Sequence, residues 1–455
     1  MLLLFKTRNY KSFVEDACFY MTPTPKQKGL DYSVLSAKAN GRNYKGLCCA
    51  VVYGANASGK TNLIGAMETL RAIVLRGNIR NSESLSMNAA AYSLELIPNC
   101  NSSNNCNNCN NSVVPTEFLI RFIDEGLLIE YSLIIDLGHF MEKDYPRNIL
   151  EERLLVNGKQ IFLRHKSLEI DIDIPAVIKP YINTSLKKNV MLKIAEGSLN
   201  ATELFLVNGF KTIFAQELVR KIIAWFEHKL VIAYQLKDLR DLRDLRISRF
   251  ASELNTSTIY VEKRLMEIAK TFGITASELA YRKVKAEDNA ILLSVINDKR
   301  LPAEIFESYG TIRFIIEFPM VIDAILNGAT LVVDEFDASI HSTALMSIIN
   351  MFHNSEINKN NAQLIFNTHN PIFLDASLLR RDEIKFVERD DISGRSEHYA
   401  LSDFKTTDGI RKGEDYMKNY FVSRYGAIKN IDFSPILADI IKEAGKAGKA
   451  VEAGN

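Results

Sequence analysis

The sequence predicts an α/β fold with a mixed sheet, part of it antiparallel, and a helical insertion. Three observations predict this. The octet Gly54-Ala55-Asn56-Ala57-Ser58-Gly59-Lys60-Thr61 lies between an apolar run, Cys48 to Val52, and a helical pattern beginning at Asn62. Alternating or apolar runs at Leu2 to Tyr10, Cys48 to Tyr53, Glu117 to Phe122 and Leu127 to Ile135 read as strands, the last two joined by the turn Asp124-Glu125-Gly126. From about residue 184 to 285 the pattern turns helical, with Val261, Leu265, Ile268, Ala269 and Phe272 spaced for one helix face.

The octet is a complete phosphate-binding loop. Its glycines let the backbone wrap around phosphate oxygens, and the helix beyond points N–H groups at negative charge. The contact set expected for a nucleoside triphosphate is Gly54, Asn56, Ser58, Gly59, Lys60, Thr61 and Asn62. Lys60 would reach the β- and γ-phosphates and Thr61 would ligate Mg²⁺, so ATP and Mg²⁺ are the expected ligands.

Composition narrows the class. Apolar residues at 47% and charged residues at 24% are those of a globular chain with a sizeable core. With 56 Lys plus Arg against 55 Asp plus Glu, the net charge of +1 gives no global electrostatic pull toward nucleic acid. The start, Met1 to Phe5, is too short for a signal-peptide core and is followed, not preceded, by Lys6, Arg8 and Lys11. No apolar run reaches the roughly 18 residues of a membrane span, so the expected setting is the cytoplasm, away from a membrane.

The cysteines do not form a disulfide framework. Cys18, Cys48 and Cys49 read as buried thiols. Cys100, Cys106 and Cys109 would offer three thiolates to zinc, but they lie in an asparagine-rich run, Asn99 to Ser112, for which a surface loop is the simpler reading. In Leu236 to Arg246 leucine recurs every third residue, so the stripe spirals around a helix and makes no coiled-coil seam. Ile268 to Thr275 reads as an amphipathic helix with a glycine stop, although a helix-turn-helix has similar spacing.

The second half of the site follows the insertion. Thr330 to Val333 is an apolar strand ending in Asp334-Glu335: the Asp would hold Mg²⁺ and the Glu would polarise a water for attack on the γ-phosphate. A further strand, Gln363 to Phe366, leads to His369, placed to hydrogen-bond the γ-phosphate. Ser308 and Gly310, before the apolar helix pattern Ile312 to Leu326, form a second anion-binding corner.

This order of motifs resembles the ATP-binding-cassette heads of the SMC, RecF and OLD families. Asn9-Tyr10-Lys11-Ser12-Phe13 is similar to their N-terminal motif, and Asp337 to His341 to their D-loop. The resemblance implies an ABC-type P-loop ATPase head. Its N-terminal lobe would occupy residues 1–183, a helical insertion 184–300, a C-terminal lobe 301–430 and a tail 431–455. It also implies catalytic roles for Glu335 and His369, a nucleotide contact by Lys11, and head-to-tail dimers in which Ser308 and Gly310 of one copy close over ATP held by the other. The family's metal-sensing glutamine has no counterpart between Gln27 and Gln160.

The C-terminal run Leu401 to Phe404, Arg411 to Asp415, Lys418 to Tyr420 and Arg424 to Ala427 resembles the RloA, AbiL and AriA type of anti-phage ATPases. That resemblance implies a sensor of a phage-derived trigger that controls a separate TOPRIM-like nuclease. DNA repair, with direct DNA binding, is the alternative; near-neutral charge and an insertion too short for a coiled-coil arm weigh against it. A nuclease within this chain has little room: Asp171-Ile172-Asp173 has no catalytic context, and the tail from Lys442 reads as disordered.

Overall fold

The computed structural model describes residues 1–25, 29–80, 96–100, 113–140, 142, 145–170, 188–234, 258–260, 263–271, 278–283, 290–337, 340–405, 414–429 and 432–441. The strands, in chain order, are β1 (Leu2–Arg8), β2 (Ala17–Tyr20), β3 (Val34–Ala39), β4 (Arg42–Leu47), β5 (Cys49–Tyr53), β6 (Thr116–Asp124), β7 (Leu127–Asp136), β8 (Asn148–Val156), β9 (Lys159–Arg164) and β10 (Leu168–Ile170). They continue as β11 (Leu230–Ala233), β12 (Thr258–Tyr260), β13 (Glu278–Lys283), β14 (Ala290–Ile296), β15 (Lys299–Pro302), β16 (Thr330–Val333), β17 (Gln363–Asn367), β18 (Ile384–Arg389) and β19 (Ser396–Ala400).

Two large sheets carry the fold. The first runs β10-β9-β8-β7-β6-β1-β2 and is antiparallel. Its long strands β6 and β7 alternate buried and half-buried positions, as expected of a sheet packed mainly on one face. Their turn is the expected one: Glu125 at φ 45° and Gly126 at φ 79° form a two-residue loop whose backbone suits the strand twist.

The second sheet runs β11-β16-β17-β5-β18-β19, parallel throughout except for its last strand. Every residue of β5, β16 and β17 is buried, because helices or strands cover both faces. Successive residues feed two different cores. Ala50, Val52, Val332 and Ile365 join the core shared with the antiparallel sheet and helix Lys60–Arg76. Val51, Tyr53, Val333, Leu364 and Phe366 join the opposite core, under helices Tyr309–Asn327 and Ser342–His353.

Buried Gln363 ties the two sheets together. Its side-chain oxygen accepts from the Leu2 amide at 2.5 Å and from the Thr330 hydroxyl at 3.0 Å, and its amide donates to the Leu2 and Leu47 carbonyls, each at 3.0 Å. One polar side chain thus satisfies backbone groups that would otherwise be orphaned in the core.

The insertion is helical in part, with Lys188–Gly197, Gln216–Ala224 and Lys263–Thr271. It also supplies β11 to the edge of the parallel sheet and a separate four-stranded antiparallel sheet, β12-β13-β14-β15. An apolar run as short as Leu230 to Ala233 has no readable period, so helix and strand look alike in sequence. The repeat Leu236 to Arg246, the pair Asp171 and Asp173, Cys106, Cys109 and the tail from Lys442 lie outside the described residues. Cys48 and Cys49 are buried free thiols, and Cys100 is exposed. Among the described residues, no cluster of three or more His, Cys, Asp or Glu is arranged to hold a metal. No helix among them is long and apolar enough to cross a membrane.

Candidate functional site

Parallel pairing of β16, β17 and β5 brings the carboxyl ends of three strands to one edge, where open α/β sheets bind their ligands. The loop Gly54–Thr61 leaves β5, Asp334-Glu335 leaves β16, and Asn367 to His369 leaves β17.

Helix Lys60–Arg76 starts two residues earlier than its apolar periodicity indicated, so Lys60 and Thr61 stand in its first turn. Gly59 has φ 112°, a backbone region closed to most side chains. A Cβ there would come within 2.7 Å of the hydroxyls of Ser12 and Ser396. At Gly54 a Cβ would collide with the Val387 carbonyl. The loop is therefore a cradle of bare backbone.

Lys60 is 5% exposed and donates to the carbonyls of Gly54 (2.7 Å) and Ala55 (3.0 Å). Burial pulls its ammonium down to about 8, against the attraction of Asp334, Glu335 and Asp337. The Thr61 hydroxyl donates to Asp334 Oδ1 at 3.1 Å. Asn367 joins both acids: its amide donates to Asp334 Oδ1 at 2.5 Å and its oxygen accepts from the Glu335 backbone N–H. Glu335 itself sits at φ 53°, a strained conformation that presents its exposed carboxylate beside the loop.

Arg313 braces this corner from helix Tyr309–Asn327, donating to the Glu335 carbonyl at 2.9 Å. Its Nε donates to Glu317 one turn along the helix at 2.6 Å, and burial pushes the Glu317 carboxyl up to about 7. Asp337, in the loop after Glu335, accepts from Thr368 at 2.6 Å. Partial desolvation, and then the Lys60 ammonium, hold the neighbouring His369 below its ordinary range. His369 is thus a neutral donor–acceptor at physiological pH, not a cation.

The N-terminal turn and the last hairpin also close on the loop. Asn62 donates to the Ser12 hydroxyl at 2.8 Å, the Ser396 hydroxyl donates to the Ser58 carbonyl at 2.6 Å, and the Ser396 amide donates to the Ser12 carbonyl at 2.8 Å. Lys11, at φ 47°, donates to the Tyr234 hydroxyl at 3.1 Å, beside the first turns of helix Lys60–Arg76. Asn56 is exposed at the loop tip.

The structure therefore gathers Lys11, Gly54, Asn56, Ser58, Gly59, Lys60, Thr61, Asn62, Asp334, Glu335 and His369 around one cradle. Ser308 and Gly310 are built differently. Ser308 caps helix Tyr309–Asn327, its side chain accepting from the Thr311 amide at 3.1 Å, and it is exposed with Ile305, Phe306 and Tyr309. Among the described residues no hydrogen bond joins Ser308 to the loop of its own chain.

The sequence reading missed Asn367, Arg313, Ser396 and Tyr234. Asn367 had a usable signal: it is the polar residue that closes the apolar run Leu364 to Phe366, in register with Asp334 beyond β16.

The residues present fit a nucleotide and a divalent ion: a glycine cradle, a buried ammonium resting on backbone carbonyls, and a hydroxyl–carboxylate pair at 3.1 Å. Residues 221–375, about a third of the chain, match the family model described as "AAA domain, putative AbiEii toxin, Type IV TA system", a span that holds the Ser308 corner, Asp334, Glu335 and His369. The crystal structure of the SmcHead bound to the C-winged helix domain of ScpA is similar over 90% of this chain and 99% of that one, at 13% identity and a TM-score of 0.38. No curated protein sequence matches the chain. The architecture is the α/β P-loop ATPase fold, a mixed sheet with an antiparallel lobe, that the sequence predicts.

Proposed function

We propose that the chain binds and hydrolyses ATP as the switch subunit of an anti-phage, abortive-infection system, closing as a head-to-tail dimer and controlling a separate effector, a TOPRIM-like nuclease. The observation that carries the ATPase reading is the chain Thr61–Asp334–Asn367–Glu335, which sets a metal-binding pair and a candidate base at fixed positions beside Lys60. Lys60 and the loop amides hold the triphosphate. Glu335 takes the proton of the attacking water, and neutral His369 hydrogen-bonds the γ-phosphate. Thr61 and Asp334 would hold Mg²⁺, which would supply charge neutralisation at the phosphate oxygens.

Closure rests on the Ser308 corner. A helix N-terminus with a capping serine suits an anion, yet it faces solvent beside apolar Ile305, Phe306 and Tyr309. A second copy's γ-phosphate would satisfy the amides and bury the apolar rim. Hydrolysis would remove those contacts, so nucleotide state shifts the population between open and closed forms. The defence setting draws on the C-terminal resemblance and on the toxin–antitoxin wording of the matched family description.

Ser308→Arg tests the geometry. ATPγS-dependent dimers, followed by sedimentation velocity, are expected to weaken about a hundredfold, while ATPγS affinity of the monomer stays within about threefold. Unchanged dimerisation would rule the head-to-tail arrangement out. Plaque counts on cells carrying the chain and its genomic neighbour test the defence role, and DNA-stimulated turnover with steep salt dependence would favour DNA repair instead.

Asn367→Ala leaves the loop intact and loosens both acids. Its kcat is expected to fall about 10- to 100-fold with little change in ATP affinity, measured by phosphate release and by calorimetry.

A further inference from the structure

Away from the nucleotide cradle, a cavity of about 340 Å³ opens between β2 and the β18–β19 hairpin, lined by Cys18, Thr22, Thr24, Lys385, His398 and Ser402 among others. Lys385 and His398 share one face of the hairpin, because Lys385 lies opposite Ala400 and Val387 opposite His398. Phe19 of β2 packs against both, its ring 5.3 Å from the imidazole centre and 5.7 Å from the ammonium.

Lys385 is 3% exposed and, among the described residues, makes no hydrogen bond or ion pair; its ammonium lies over the Phe19 ring. A buried ammonium with no direct ion pair is costly. Asp382, Asp403 and Glu383 attract it from a distance, but Glu383 is taken by the Cys49 and Arg380 amides, and the acids that line the cavity, Asp16, Asp382 and Asp403, are engaged elsewhere. Asp382 is gripped by Arg380 at two contacts of 2.9 Å and accepts from the Thr24 amide at 2.8 Å. Asp16 pairs with Lys6 at 2.7 Å, and Asp403 accepts from the Ala400 amide at 2.8 Å. His398 adds no rival charge: both ring nitrogens are buried without a hydrogen bond, the Cys18 backbone lying near but out of geometry, and burial pulls the imidazole down to about 3. Burial lowers Lys385 only to about 8, so it stays charged at neutral pH. The Thr24 and Ser402 hydroxyls, 3.4 Å apart, give the wall neutral donors.

We propose that this cavity is a second ligand site, which takes the carboxylate or phosphate group of a small molecule with Lys385 as its counter-ion and the Thr22, Thr24 and Ser402 hydroxyls as further donors. The anion would supply the partner that the fold withholds from Lys385, and a cavity of this size admits a metabolite but not a macromolecule.

Calorimetry on the full chain carrying Lys60→Ala, which disables the nucleotide cradle, tests this with inorganic phosphate and with succinate as separate probes. Saturable binding of at least one probe is expected, and the stronger of the two identifies the group. Adding Lys385→Met should weaken it about tenfold or more, and adding Ser402→Ala severalfold, with folding checked by thermal melts. If the Lys385→Met protein fails to fold, the Ser402→Ala comparison decides. Binding of neither probe, or equal binding when Lys385 or Ser402 is replaced in a folded protein, overturns the proposal. Because the readout is binding in a protein disabled for nucleotide, it is independent of ATP turnover.

Discussion

Glu335→Gln is expected to slow ATP hydrolysis about 10²- to 10⁴-fold while ATP stays bound. The exchange is nearly isosteric, and the backbone of residue 335 is fixed from both ends: Asn367 accepts its N–H and Arg313 donates to its carbonyl. The side chain should therefore occupy the same place with no ability to accept a proton. Dimers with uncleaved ATP should accumulate, because nothing then removes the γ-phosphate that favours the closed form. Single-turnover phosphate release and size-exclusion chromatography with ATP and Mg²⁺ would show both effects. Hydrolysis at the unmutated rate would remove Glu335 from the role of base.

Lys60→Ala is expected to weaken ATP binding about a hundredfold or more, measured by calorimetry. This ammonium rests on the carbonyls of Gly54 and Ala55, so the loop's own backbone positions and desolvates the charge. Burial holds it at about 8. Triphosphate would raise that value, since opposite charge favours the ammonium. The sign follows: above about pH 8 the free protein has lost the proton that binding requires, so affinity should fall as pH rises through that value, with proton uptake on binding. Repeating the titrations in buffers of different ionisation enthalpy measures the uptake. Lys60→Ala should abolish this particular pH dependence. Persistence of the full effect in that variant would assign it to another group.

What the sequence revealed and what it hid divide along contact range. The loop Gly54–Thr61, the strand ending in Asp334-Glu335 and the helix after Ser308 are set by residues adjacent in the chain, where glycine, periodicity and capping act locally. Arg313 is one of three charged residues in an otherwise apolar helix. Only the fold shows that it reaches the carbonyl of residue 335, while Glu317 balances its charge. Ser396 lies 338 residues from Ser58, and no pattern in either segment announces that they touch. Within the insertion, β12 is three residues long and β15 ends in proline, so neither carries a strand signature that outweighs its helical surroundings.

The neighbours of β5 have a consequence for biogenesis. The strand that leads into the phosphate loop emerges from the ribosome well before both strands that flank it, β17 and β18, which are made more than 300 residues later. Nascent chains must keep the apolar segment Cys49 to Tyr53 unpaired until those two strands are made, a natural holding site for a chaperone. Nucleotide competence should thus appear abruptly, only once β17 and β18 have been made.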